Sequence, residues 1–521
     1  MAVIPFDSKE DTQDQDEPKL KRVDYRRAKR QAEKDAKHKK SEAYNKKCEE
    51  NRNKPFSRKQ IRDLKKDKHL VRDLLSTINT YFPDLVNNFK DIDDRRCQQY
   101  TKYDISVILV VRMLSAILSF DSQRAMTRGL NNDNAIKNIA AFLQREDLDE
   151  LPHGDTINDC FKKMNPEDLE NFIHKMINRL LRRNTFNDSR INMSEWQILV
   201  DATEFFRSKK RHCDHCLFSR HKNTEGEVTS IDYYHTVLEA KLVLNGSLVF
   251  SIQSVFIENE KPIPSDEVLW SREYSEPNKA GKEKTKQDCE TKAFYRLAEK
   301  LKTAFPNLPI CITTDALYPC KGMFEICKRL GWHFIMRFKD GVIPSLANQF
   351  RDQTKKHPEQ SIHEIDDYNV HLDYCFASNL IYENFIINAV ELNDSSVKYP
   401  FWFITDYPIT KYSSKRIAEH GRRRWKIENQ GFKRQKKHGY CLKHMFCKDY
   451  TAMKIHYFVI QIAHAISQLW EHSINMKDLR YSIREIHEDL KMSFLTSVLT
   501  EDDIAFAFMR KRVRLNHDLA A

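Results

Sequence analysis

Two apolar runs in this chain each end in an aspartate, and a basic segment downstream carries one glutamate. The first run is Trp196-Gln-Ile-Leu-Val-Asp201 and the second is Leu308-Pro-Ile-Cys-Ile-Thr-Thr-Asp315. The basic segment, read as one helix, runs from Arg422 to Lys437 and holds Glu428. Hard divalent cations prefer carboxylate oxygens. Two such ions roughly 3.5–4 Å apart activate a water or hydroxyl and stabilise the leaving oxygen in phosphodiester cleavage. Asp201, Asp315 and Glu428 are therefore expected to hold two Mg2+ (or Mn2+) ions and to cut and rejoin a phosphodiester backbone. Each acid also has a plainer reading. Asp201 or Asp315 can cap the turn after its strand, and Glu428 can pair with Arg424 one helical turn earlier. Asp406 and Glu290 are secondary carboxylates, and Asp406 is expected to cap a turn.

Adjacent parallel strands would bring both aspartates to one rim of a sheet, where ligands of open α/β sheets bind. The pattern around them supplies such a sheet. Residues Asp232–Leu244 and Ser247–Ile257 are rich in β-branched and aromatic side chains, and Asn245-Gly246 between them signals a hairpin. A helix is expected from Lys286 to Phe305, ended by Pro306. The Asp315 strand, a helix from about Pro319 to Leu330 and a strand from Trp332 to Phe338 follow. This order gives the expected fold class: α/β, a ribonuclease-H-like mixed sheet with flanking helices. A β-rich insertion should occupy 341–411, with strand-like runs Asn369–Phe376, Phe385–Val390 and Phe401–Thr405. The core is expected over 191–340 and to be completed over 412–475, where Ala452–Trp470 is a second apolar helix.

Upstream, 71–190 reads as an all-α domain suited to DNA. Ile105, Leu109, Met113, Ala116 and Ile117 share a helical face. Asn165-Pro166-Glu-Asp168 is a helix start with a cap, a first-turn proline and acids at the positive dipole end. Residues 1–70 form a basic arm poor in large aliphatics, with clusters at 19–22, 26–30 and 37–40. Such a segment cannot bury enough surface to fold alone and reads as a solvated, partly disordered tail; a helical arm on a phosphate backbone is the alternative. The tail, 476–521, reads as helical, amphipathic and basic.

The chain has 521 residues, 31% of them charged, and a formal charge of +12. That length implies several domains, and the positive balance favours a polyanionic partner. The start carries no secretory pattern. The most apolar stretch, Ile105–Phe120, is too short to cross a bilayer and contains Arg112, so it reads as a core helix with no membrane role. Twelve cysteines scattered through a long chain suit free thiols in a reducing cytoplasm.

Two further groups bear on binding. Arg422, Arg423, Arg424, Lys433 and Lys436 are expected to contact DNA, because their self-repulsion is relieved beside phosphates. Trp425 is expected to pack in the core, with base stacking as the alternative. His212-Cys213-Asp-His215-Cys216, with His221 nearby, has zinc-like spacing. No second Cys-x-x-Cys completes it, so a further ligand would be His221 or a residue from elsewhere such as His235. A redox-silent thiol pair or a surface loop are the other readings.

With these residues in place, the chain resembles the DDE-type insertion-sequence transposases, in the group with a Tyr-x2-Arg-x3-Glu-x6-Lys signature. The matching segments are Asp201-Ala-Thr-Glu-Phe-Phe206, Lys286-Gln-Asp-Cys-Glu290, Thr314-Asp-Ala-Leu-Tyr318 and Arg424-Trp-Lys-Ile-Glu428 with Gly439-Tyr440. The resemblance spans about 151–470. It implies a metal site of Asp201, Asp315 and Glu428, nicking at element ends, strand transfer into double-stranded target DNA, and a homodimer in the DNA complex. Two signature positions differ: the tyrosine position is Gly421 and the lysine position is Gln435, with Lys436 next. Lys436 falls roughly 800° beyond Glu428 on a regular helix, within about 80° of its face. A nuclease that does not join, and a transposase-derived DNA-binding protein without chemistry, are the competing readings.

Overall fold

Helices precede the sheet, and the residue periods switch where the strands begin. In this computed structural model, residues 69–259, 262–271, 287–366, 369–437, 439–443, 445–476, 482–509 and 513–515 are described. The basic clusters of the N-terminal arm lie outside these residues, as do parts of the C-terminal tail.

Seven helices come first: α1 (Leu70–Tyr81), α2 (Leu85–Lys90), α3 (Ile105–Ile117), α4 (Gln123–Leu130), α5 (Asp133–Leu143), α6 (Gly154–Lys163) and α7 (Pro166–Leu181). Asp104 caps α3 by accepting from the Ser106 and Val107 amides, and every residue of α3 is buried. Asn165 caps α7 and Pro166 fills its first turn, as the sequence predicts.

Strand β1 (Trp196–Ser208) opens the sheet, followed by β2 (Leu217–Lys222), β3 (Val228–Leu244) and β4 (Leu248–Ile257). Asn245 and Gly246 both take positive φ, 48° and 68°, in the turn between β3 and β4. Primed hairpin turns require that conformation, and Asn and Gly tolerate it. Helix α8 (Asp266–Trp270) and α9 (Glu290–Ala304) lead to β5 (Ile310–Thr314), α10 (Lys321–Leu330) and β6 (His333–Phe338). Strands β1, β3 and β4 are antiparallel neighbours, while β5 runs parallel to β1 and β6 parallel to β5. The order β4-β3-β1-β5-β6 is that of a ribonuclease-H-like core.

The segment after β6 holds α11 (Pro344–Lys356), β7 (Ser361–Ile365), β8 (His371–Tyr382), β9 (Phe385–Asp394) and β10 (Phe401–Thr405). These strands do not form a sheet of their own. β10 pairs antiparallel with β6, and β9, β8 and β7 follow in order. The β6 edge would otherwise present unpaired backbone groups, and this extension covers it.

Three segments then return to the core face: α12 (Ser414–Arg422), a π-helix over Ile427–Phe432 and the short α13 (Lys433–Lys437). The single helix expected over 422–437 is thus broken, with a turn at Arg423 and Arg424. Helix α14 (Tyr450–Glu471) is almost wholly buried, as a helix apolar on all sides must be. It packs on β4 and on α1, α3, α6 and α7. The N-terminal helices therefore wrap a helix from the other end of the chain. Helix α15 (Ile483–Thr496) lies on α5 and α1, and α16 (Glu501–Phe508) on α1. Among the described residues no helix is long and apolar enough to cross a membrane.

Candidate active site

Strand register brings the two aspartates together. Leu199 of β1 lies opposite Thr313 of β5 in a parallel pair. Two residues further along each chain, with side chains returning to the same face, come Asp201 and Asp315. Earlier on this face, Gln197 donates to Thr313 at 3.0 Å, and it also donates to the His420 carbonyl at the end of α12. The face is thus tied directly to the segment that leads into Glu428.

Asp201 is partly enclosed. Burial raises its carboxyl, the Arg424 guanidinium lowers it and Asp315 raises it again, leaving it at about 6. Arg424 Nη1 lies 3.0 Å from Asp201 Oδ2, so Arg424 serves Asp201 rather than forming a helical pair with Glu428. Asp315 accepts from the Leu317 amide at 2.8 Å, which turns the chain sharply after β5. Glu290, at the start of α9, joins the cluster: the Tyr318 hydroxyl donates to it at 3.2 Å. Its carboxyl is raised by burial and by Asp315. The sequence made Glu290 a secondary candidate. Tyr318 stood in one of the segments that carry the resemblance but was given no role, because its contact with Glu290 depends on how α9 packs.

Glu428 is exposed on the π-helix. Ile427 and Phe432 of that helix are buried against Leu199 and Val243, which seats it over β1 and β3 on the Asp201 face. Lys436 links the parts. Burial and Lys443 push its ammonium down, while Glu204, Glu428 and Asp201 all lie near enough to pull it back up. Single-turn π-helices recur at functional sites, and this one carries Glu428.

The two signature departures have packing causes. A side chain at Gly421 would meet the Phe403 ring at 2.4 Å, so a tyrosine has no room there. Gln435 is fully buried and bonded to Gln461 and His464, which makes it part of the core. Lys436, one residue on, is a second cation near the acids, beside Arg424.

The remaining candidates divide. Lys433 is exposed. Arg422 pairs with Asp394 at 3.1 Å and lies over the Phe401 ring. Arg423 is half-buried, and burial lowers its guanidinium. Trp425 is 54% exposed and meets only the edge of Phe401, contrary to the expected core packing: the break after α12 turns it outward. Asp406 accepts from the Phe334 amide and pairs with His333 at the start of β6, the rim opposite Asp315. It ties the end of β10 to the start of β6 rather than capping its own turn as expected.

The zinc-like motif is only partly assembled. Cys213 and Cys216 meet His235 of β3. His212 instead stacks on Tyr233, His215 stacks on Tyr450 and His221 holds Asp232 at 3.2 Å. The β2 pairing carries His221 away from the thiols.

The family described as "Transposase DDE domain" matches residues 285–466. That span includes Glu290, Asp315 and Glu428, and Asp201 lies upstream of it. No curated protein matches the chain. Among solved structures, a piggyBac transposase synaptic complex with hairpin DNA aligns with 10% identity, 84% of each chain covered and a TM-score of 0.38. Over residues 285–466 the chain is therefore similar to transposase DDE domains.

Proposed function

We propose that this chain cuts DNA at the ends of an insertion element and joins them to a target, using Asp201, Asp315 and Glu428 as the acids of its active site. The observation that carries the reading is the β1–β5 register, which sets Asp201 beside Asp315 under the segment bearing Glu428. The donor set is all carboxylate, without sulfur or imidazole, and it fits a hard divalent cation such as Mg2+ or Mn2+. Burial first, and then the Asp315 carboxylate, raise both Asp201 and Glu290, and a cation held by these acids would offset both effects. When bound, a pair of such ions would activate the attacking oxygen and neutralise the leaving one.

The protein's own part is positioning. Asp201 and Asp315 are held by the backbone of a buried sheet. Arg424 and Lys436 stand beside the acids and are placed to neutralise phosphate oxygens. Lys433 and Trp425 line the exposed side, where the backbone and an unpaired base of double-stranded DNA would lie. Joining two element ends requires two such sites, which favours a homodimer on DNA. The domain boundaries follow the same reading: a basic arm over 1–70, a DNA-binding helical part over 71–190, a core over 191–340 and 412–475, and a basic tail over 476–521.

The test is a cleavage and joining assay with purified protein, Mg2+ or Mn2+ and labelled duplexes carrying the element's terminal repeats. The expected result is metal-dependent nicks at the repeat ends and joined products. Both should be lost in Asp201→Ala and Glu428→Gln while DNA binding persists. Normal cutting by either variant would overturn the assignment. Cleavage without joining would identify a nuclease, and binding without cleavage by the unmodified chain would identify a DNA-binding protein.

A further inference from the structure

A second cluster, separate from the acids, carries an independent inference. The Cys213 and Cys216 sulfurs are 3.9 Å apart, and His235 Nε2 lies 3.2 Å from one and 3.3 Å from the other. All three ligand atoms fall within 4.8 Å of one another, and no other such cluster of three His, Cys, Asp or Glu occurs among the described residues.

We infer that Cys213, Cys216 and His235 bind one Zn2+ ion that staples the loop after β1 to β3. Zinc bonds of about 2.3 Å to sulfur and about 2.0–2.1 Å to nitrogen, set tetrahedrally, require S–S and S–N edges of roughly 3.8 and 3.5 Å. The observed triangle matches those edges to within a few tenths of an ångström. A disulfide needs sulfurs roughly 2.05 Å apart, and the thiols are almost twice that distance. Hydrogen bonding accounts for two of the three contacts, with one S–H donated to Nε2, which has one lone pair, and the other to the neighbouring sulfur. The second sulfur–nitrogen contact is then left without a proton. A cation satisfies all three atoms at once.

The surroundings fit an ion. Cys216 and His235 are fully buried. Zn2+ with two thiolates and a neutral imidazole has no net charge, so it can occupy a buried place without an unpaired charge. The Cys213 amide points at the Cys216 sulfur at 3.4 Å, the kind of outer hydrogen bond that supports a thiolate ligand. The His235 ring is stacked between Phe205 and Tyr450, which fixes the direction of Nε2. His215 stacks on the same Tyr450 ring, and the fourth corner falls to it or to a water.

The consequence is local order beside the active site. His235 pairs with Phe206, just past the bulge at Glu204–Phe206 on β1, the strand that carries Asp201. Tyr450 begins α14. One ion would therefore join β1, β3, the loop before β2 and the start of α14. Binding moves two protons from the thiols to solvent as two S–Zn bonds form, with no change of oxidation state.

The test uses the full chain, purified under reducing conditions and exposed to zinc, then freed of loosely held metal. Elemental analysis should find one zinc per chain in the unmodified protein and in Asp201→Asn/Asp315→Asn, which would exclude the acid site as its source. Cys213→Ser/Cys216→Ser and His235→Gln should lose it, and His221→Ala should keep it. Cobalt substituted into the unmodified chain should show thiolate-to-cobalt charge transfer and tetrahedral ligand-field bands, a readout that does not depend on any variant folding. Absence of stoichiometric zinc and of the cobalt spectrum would overturn the inference, as would a Cys213–Cys216 disulfide found by mass spectrometry in the unreduced protein. Zinc lost only with the Asp201 and Asp315 substitutions would also overturn it.

Discussion

At the scale of single residues, Arg424 is the most informative side chain. It lies 3.0 Å from Asp201 and has Arg337 as a cationic neighbour, so a charge that elsewhere would join a surface pair is turned onto the acid. Its planar fork matches a phosphate as well as a carboxylate. With a cation on the acids, the same guanidinium is free to hold the phosphate being cut. Arg424→Ala should therefore lower single-turnover cleavage by about 10²-fold, in line with the loss of one preorganised electrostatic donor. Arg424→Lys should recover only part of that, because an ammonium cannot bond in two directions from one plane. Equal cleavage by the unmodified chain and Arg424→Ala, at fixed Mg2+ and saturating DNA, would remove Arg424 from the site.

At the scale of elements, the broken helix between Ser414 and Lys437 is held by a buried charge network. Arg434 of α13 donates to both oxygens of Glu471 in α14 at 2.6 Å, and His487 of α15 lies 2.7 Å from the same carboxylate. Burial alone would raise Glu471, but Arg434 and His487 outweigh it and hold the carboxyl well below the usual range. Because the folded-state pKa is lowered, this contribution to stability is present above the unfolded value, about 4.3. It fades as pH falls through the folded value. Glu471→Gln should cost about 3–5 kcal/mol at neutral pH, since Arg434 is left buried without its counter-charge. It should also flatten the fall in stability below about pH 4.3. Denaturant titrations at several pH values check both effects, and a loss under about 1 kcal/mol would mean that water replaces the carboxylate. Since α13 follows directly on the π-helix, the same variant is expected to loosen Glu428.

At the scale of the whole molecule, residues from His69 onward form one compact unit. The basic clusters within residues 1–68 are read from the sequence, as charge. If they lie along DNA, each phosphate neutralised steepens the salt dependence of binding by about 0.9 in the log–log slope. A chain lacking residues 1–68 should unfold cooperatively near the melting temperature of the full chain, yet bind duplex DNA with a slope shallower by at least about 2. An unchanged slope across a salt series would show that the arm does not touch the duplex.

Much of the core was legible in residue order. The runs ending at Asp201 and Asp315, the Asn245-Gly246 turn and the Asn165-Pro166 helix start are local signals. Turn conformation, helix capping and the two-residue period of a strand are decided within a few residues. The sequence by itself therefore determined most of the core strands and helices, and it placed Asp315 at a strand end; Asp201, expected to end its strand, lies within β1, which runs on to Ser208 because β3 continues to pair with it. Only the tertiary structure decided what meets what. Strand period says which face a residue takes but not its register, and the β1–β5 register is what sets Asp201 beside Asp315. The π-helix at Ile427–Phe432, the outward turn of Trp425 and the choice of His235 over His212, His215 and His221 at the thiols arise from long-range packing. So does the joining of β10 to β6, which made the expected insertion an extension of one sheet. Each depends on surfaces brought together from distant parts of the chain, a pairing that no local pattern of residues specifies.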